Sequence, residues 1–124
     1  MSNESKHFKE HELACKGVDC CGGRNGATTE LLNACEVARH CAADVPIVVT
    51  SAYRCPKHNN NVGSKHTSFH VRGLAIDVFS MGNYRANTVD GRQYIEAILR
   101  RAGFWTYQGP NFVHGDLRNR MAGR

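Results

Sequence analysis

The sequence predicts an α+β fold, a small and mostly antiparallel sheet with flanking helices. Three observations carry that expectation. Two stretches, 28–42 and 90–102, repeat their apolar residues with helical period. Short apolar or β-branched runs near 47–50, 74–79, 104–107 and 111–116 have strand character. Helices and strands alternate irregularly, and no Rossmann or P-loop glycine pattern occurs, which argues against a nucleotide-binding parallel sheet.

Residues 1–26 read as irregular, with Gly17, Gly22, Gly23 and Gly26 punctuating a stretch rich in cysteine. A helix follows over 28–42, started by Thr28 or Thr29, with Leu31, Leu32, Cys35, Ala38 and Ala42 on its apolar face and Asp44 and Pro46 ending it. Ile47-Val48-Val49-Thr50 reads as a buried strand. Residues 54–69 read as one long polar loop, and so long a loop in a small domain is usually functional. In the strand 74–79, Leu74, Ile76 and Val78 point one way and Ala75, Asp77 and Phe79 the other. Residues 80–88 form a turn-rich loop. Asp90 caps the next helix, with Gln93 as reciprocal partner; Tyr94, Ile95, Ile98, Leu99 and Ala102 form its stripe, and Gly103 closes it. A Gly109-Pro110 turn links the last two strands.

At 124 residues the chain reads as a single domain, 1–124, with a cysteine-rich N-terminal segment over 8–26. Leu, Ile, Val and Phe make up about a fifth of it, the low edge for a folded domain. The fold is therefore expected to lean on a metal or on its thiols as well as on burial. No apolar run is long enough to span a membrane, and the polar start MSNESKHFKE has no secretory core, so neither a membrane partner nor signal-directed export is expected. The net charge of +5 suits an anionic partner. Without a Lys/Arg run, zinc finger or RNA-binding motif, nucleic acid is not the expected one. Cys15, Cys20, Cys21, Cys35, Cys41 and Cys55 all lie in the N-terminal half. Cys15, Cys20 and Cys21 lack a CxxC spacing, so buried free thiols are the expected state, with a structural zinc as the alternative.

Asp77 in the middle of an apolar strand needs a partner, because an unpaired buried carboxylate is costly. An arginine at a sheet edge would serve. So would a metal: His70 stands just before that strand and His114 lies on another, and two imidazoles plus one carboxylate make a catalytic zinc set with a position left for water. His7, His11, His40, His58 and His66 are also available, and spacing alone does not separate ligands from surface histidines.

Three segments resemble the M15 peptidases, the group of D-alanyl-D-alanine carboxypeptidases and L-alanyl-D-glutamate endopeptidases, in their small phage or prophage form. SFHVRGLAID resembles the S-x-H-x-x-G-x-A-x-D signature, SAYRCPKHNNNVGS the S-x-Y-R-x-x-x-x-N-x-x-V-G segment, and FVHGD the closing segment, in register over 47–116. The resemblance implies Zn2+ held by His70, Asp77 and His114 on the sheet. It implies that Arg54 holds a substrate carboxylate or carbonyl, that Ser68 braces the loop presenting His70, that Gly73 allows a turn, and that Ala75 leaves space beside Asp77. Many members carry a general base three residues before the last histidine. Asn111 stands there in this chain, and Gly109 where some have a further histidine. Asp116, His66 and Asp90 are then the candidates for the base, with orientation of a zinc ligand as the other role open to Asp116. The implied activity is zinc-dependent hydrolysis of an amide bond in the stem peptide or cross-link of peptidoglycan, as an endolysin-like murein hydrolase. A chain made without a signal peptide would reach the wall after holin-type release or in a virion, and is taken as a monomer. The rival reading, from Asn111, is a non-catalytic, zinc-containing wall-binding or phage structural module.

Overall fold

The computed structural model describes residues 3–65 and 68–121. The elements in order are α1 (Glu10–Leu13), α2 (Thr29–Cys41), β1 (Ile47–Ser51), α3 (Pro56–Asn61), β2 (Ala75–Met81), β3 (Tyr84–Arg85), α4 (Val89–Arg101), β4 (Trp105–Gln108), β5 (Val113–Asp116) and α5 (Arg118–Met121). The strands form one antiparallel sheet in the order β1-β2-β5-β4, and β3 turns back on the end of β2. The architecture is thus α+β with an antiparallel sheet and flanking helices.

One face of the sheet is apolar and takes the helices. Ile76, Val78 and Val113 lie in the same core as Leu31 and Cys35 of α2 and Ile95, Ile98 and Leu99 of α4. Gly115 belongs to this face: a Cβ there would stand 3.1 Å from Phe104 and 3.3 Å from Leu99. The opposite parity of the same strands turns Ala75, Asp77, His114 and Asp116 to the other face.

Both long helices are punctuated by their own sequence. Thr28 caps α2, its hydroxyl accepting from Leu31 N at 3.2 Å. The helix closes through Ala43 N to His40 O and Asp44 N to Arg39 O, with Ala43 and Asp44 both at positive φ, 58° and 61°. The cap of α4 is Thr88, which accepts from Gly91 N at 3.0 Å; Asp90 sits inside the first turn, where its charge favours the helix dipole without capping it. Gly103 (φ 99°) ends α4 as expected, with Phe104 N bonded to Leu99 O.

Three boundaries differ from the sequence reading. The stretch 54–69 is not wholly a loop, since α3 occupies Pro56–Asn61. Three asparagines hide a helix of under two turns that has no apolar stripe; Pro56 at its first position, the Cys55 cap and buried Asn59 hold it instead. The turn-rich 80–88 contains the end of β2 and all of β3, and the start contains α1. Gly91 shows why β3 and α4 sit so close: a Cβ there would fall 1.8 Å from Arg85 O.

Candidate metal centre

The strand pairing assembles the centre. Ser51 pairs with Asp77, Asp77 with His114, and His114 with Tyr107, so four strands bring one residue each to a single row across the sheet. A second row sets Ala75 beside Asp116 and Asp116 beside Trp105. His70 comes from outside the sheet, on a turn before β2. Ser68 Oγ accepts from His70 N at 3.2 Å, and His70 O accepts from both Arg54 N and Gly73 N. Gly73 has φ 70°, and a Cβ there would meet Gly26 O at 1.9 Å, so this turn demands glycine twice over.

His70, Asp77 and His114 are all buried, and each offers a ligand atom within 4.8 Å of the others. A hydrogen bond to a backbone carbonyl fixes the tautomer of His70. His70 Nδ1 lies 2.6 Å from Ala52 O, a carbonyl that only accepts, so Nδ1 carries a hydrogen and Nε2 turns to Asp77 Oδ1 at 3.2 Å. His114 Nε2 lies 2.7 Å from Asp116 Oδ2 and Nδ1 lies 3.0 Å from the same Asp77 Oδ1; with the ring neutral and its hydrogen on Nε2 toward Asp116, Nδ1 is left free for a metal. Two ring nitrogens and a carboxylate oxygen therefore converge, all acceptors when the imidazoles are neutral. Only a cation or added protons stabilise such a set, and this donor chemistry fits zinc. The electrostatics agree. Burial opposes ionisation of Asp77, but when the His114 and His70 rings are protonated toward it their hydrogen bonds and charge outweigh that and hold the carboxyl well below the usual range. Burial alone would lower His114, yet Asp116 and Asp77 raise it.

The supports of these three extend outward. Arg54 donates from Nη2 to Asp77 Oδ2 at 3.2 Å, from Nε to Ser51 Oγ at 3.2 Å and from Nη1 to Asn59 Oδ1 at 3.4 Å, so α3 steadies it. Both the arginine and the metal foreseen as partners of Asp77 are thus provided for. Asp116 is fully buried; Arg118 donates to both its oxygens, at 2.9 and 2.8 Å, and stacks 3.5 Å over the Trp105 ring. Despite burial, the bonds from His114 and Arg118 keep Asp116 down at about 2. His66 lies outside the described residues. Asn111 is exposed and outside the cleft lining, and His7, His11, His40 and His58 are not part of the metal-ligand triad.

The centre forms the floor of an open cleft of about 740 Å³, with Arg54, Lys65, Phe69, Tyr107, Phe112 and Arg118 among its walls. Sequence reasoning missed Tyr107, whose ring stacks on His114 at 4.7 Å, and Arg118. Alternation along β4 was the available signal for Tyr107; Arg118 had none beyond its place two residues after Asp116.

Comparison with curated proteins returns no significant match. The family model described as Peptidase M15 matches residues 6–116, which takes in the three buried ligands, the arginine beside them and the cysteine-rich segment. Coverage of that extent, together with a buried His70, Asp77 and His114 set able to hold a metal, shows that the chain belongs to the M15 family of zinc metallopeptidases.

Proposed function

We propose that this zinc peptidase hydrolyses an amide bond of the peptidoglycan stem peptide or its cross-link. The observation that carries the reading is the convergence of His70, Asp77 and His114 on the floor of a cleft edged by Arg54, Lys65 and Arg118. His70, Asp77 and His114 would hold zinc there, and it would supply Lewis acidity and an activated water near neutral pH. The protein's own groups do the rest. Arg54, in contact with Asp77, presents its guanidinium beside the centre, where a planar carboxylate or a developing oxyanion fits. Stem peptides offer free carboxylates, and the net charge of +5 adds attraction toward an anionic wall.

Asp116 spends its oxygens on His114 and Arg118, which suits holding the His114 ring more than accepting a proton. Asp90, the third sequence candidate, is exposed in the first turn of α4 and outside the cleft lining, which leaves His66 as the proton acceptor in this reading. Within this reading the enzyme reaches the wall by holin-type release or as part of a virion. Asn111 favours a second reading, a wall-binding module that holds zinc without hydrolysis, because an amide does not take a proton from water.

Digestion of purified walls of differing stem-peptide chemistry, read by mass spectrometry, tests the proposal. New amino termini should appear with the glycan intact, vanish with chelator and return with zinc. His66→Ala should keep its zinc and lose about a hundredfold or more in rate if His66 is the acceptor. No cleavage of any wall by fully zinc-loaded protein would leave the binding-module reading.

A further inference from the structure

We propose that Cys15, Cys20, Cys21 and Cys55 bind a second zinc ion in a four-thiolate structural site, separate from the centre at His70, Asp77 and His114. The sequence supplies no CxxC, and the fold makes up for it by bringing Cys55 from the start of α3 to the loop at 15–21. All four sulfurs lie within 4.8 Å of one another. Cys15 and Cys20 are 3.8 Å apart, and Cys20 and Cys21 3.9 Å. Sulfurs at about 2.3 Å from a tetrahedral zinc stand about 3.8 Å apart along each edge. A disulfide needs about 2.05 Å and would use the sulfurs only in pairs.

Without a metal, burial pushes the Cys20 thiol up, but the backbone favours thiolate at two of the other sulfurs. Cys55 N donates to Cys15 Sγ at 3.5 Å, and His58 N donates to Cys55 Sγ at 3.4 Å, so backbone dipoles are aimed at two of the sulfurs. Gly17 lets the loop close: a Cβ there would lie 2.7 Å from both Cys20 Sγ and the His58 ring. Arg24, over the Tyr53 ring that packs with this cluster, brings positive charge. The other two cysteines show what packing alone looks like. Cys35 is fully buried in the apolar core, and Cys41 is half-buried against it.

Binding would displace the four thiol protons and fill all four coordination positions, leaving none open for substrate. The role is therefore a clamp. It fastens the N-terminal loop to Cys55, the neighbour of Arg54, whose backbone N–H in turn bonds His70 O.

The decisive sample is the full chain carrying His70→Ala and His114→Ala, purified without chelator. Elemental analysis should still find about one zinc per chain, released by an organomercurial thiol reagent. Cobalt exchanged into the same protein should show the thiolate-to-cobalt charge-transfer band of a tetrahedral sulfur site. Wild type should hold about two zinc ions, and Cys20→Ser/Cys21→Ser about one. If that cysteine variant does not fold, the cobalt spectrum decides, and its absence overturns the site. A double-histidine variant without zinc, or an intact mass short by two hydrogens per bond among these cysteines, likewise overturns it. Because the histidine ligands are already gone, these results are independent of whether the catalytic centre cleaves walls.

Discussion

Asp116 controls which face of its ring His114 offers to a metal. With Nε2–H tied to Asp116 at 2.7 Å, the free lone pair is the one on Nδ1. Asp116→Ala is therefore expected to weaken zinc binding about 10- to 100-fold, with activity falling in parallel, as titration with a competing chelator would measure. Activity lost at unchanged zinc affinity would instead mark Asp116 as the proton acceptor. Gly73 is as constrained, by its positive φ and by Gly26 O at its back. Gly73→Ala should lower the melting temperature and abolish zinc binding at the triad together, since His70 rides on that turn. Asp77 was legible as an acid amid apolar strand residues, but His70 and His114 were picked out from the other five histidines only by the resemblance to the M15 motifs, since spacing alone does not separate them. Tyr107 and Arg118 were not legible, because their places come from strand pairing and from the turn after β5.

At the level of elements, α2 does more than cover the sheet. Its cap Thr28 also donates through its hydroxyl and its N–H to Gly73 O, at 3.0 and 3.1 Å, so the helix start is bonded to the turn carrying His70. Thr28→Ala should cost about 1 kcal/mol in chemical denaturation, the usual worth of such a cap, and Thr28→Ser should recover most of it. The other end of α2 is suboptimal. Ala43 is exposed at φ 58°, a conformation that penalises a Cβ. Ala43→Gly is expected to stabilise the protein by about 0.5–1 kcal/mol, the left-handed penalty less the entropy glycine loses on folding. The two long helices and four of the strands were readable from periodicity, and Gly103 from its position. Helix α3 was not, because its stability comes from Cys55, Pro56 and the buried Asn59 amide rather than from an apolar face. The cap of α4 was misread because Thr88 and Asp90 are both good caps, and only the backbone entering from β3 selects between them.

For the whole molecule, the N-terminal segment is held by polar contacts that respond to acid. Glu36 on α2 accepts from Ser5 Oγ at 2.6 Å and from His7 N at 2.8 Å, and pairs with the His7 ring. Burial opposes its charge, but these bonds win and lower the carboxyl below its ordinary value. A carboxyl with a depressed folded pKa stabilises above its unfolded value, about 4.3, and that contribution disappears as pH falls through the folded one. Glu36→Gln should therefore lower the melting temperature at neutral pH and flatten the acid side of the stability curve, as thermal unfolding across pH would record.

The floor and the rim of the cleft are made of different material. Asp77 and His114 are locked by sheet register, where a one-residue slip would turn them to the opposite face. Val62, Gly63, Ser64 and Lys65, by contrast, lie on one excursion of chain that leaves the sheet after β1 and returns at β2. Such a division makes selectivity transplantable. An excursion grafted from another peptidase of this kind, with Arg54, Cys55, Asn59 and the Ser68–Gly73 turn kept, should carry its donor's preference while the host goes on holding metal. Fragment patterns from wall digests, set beside zinc content, would read the two inheritances separately.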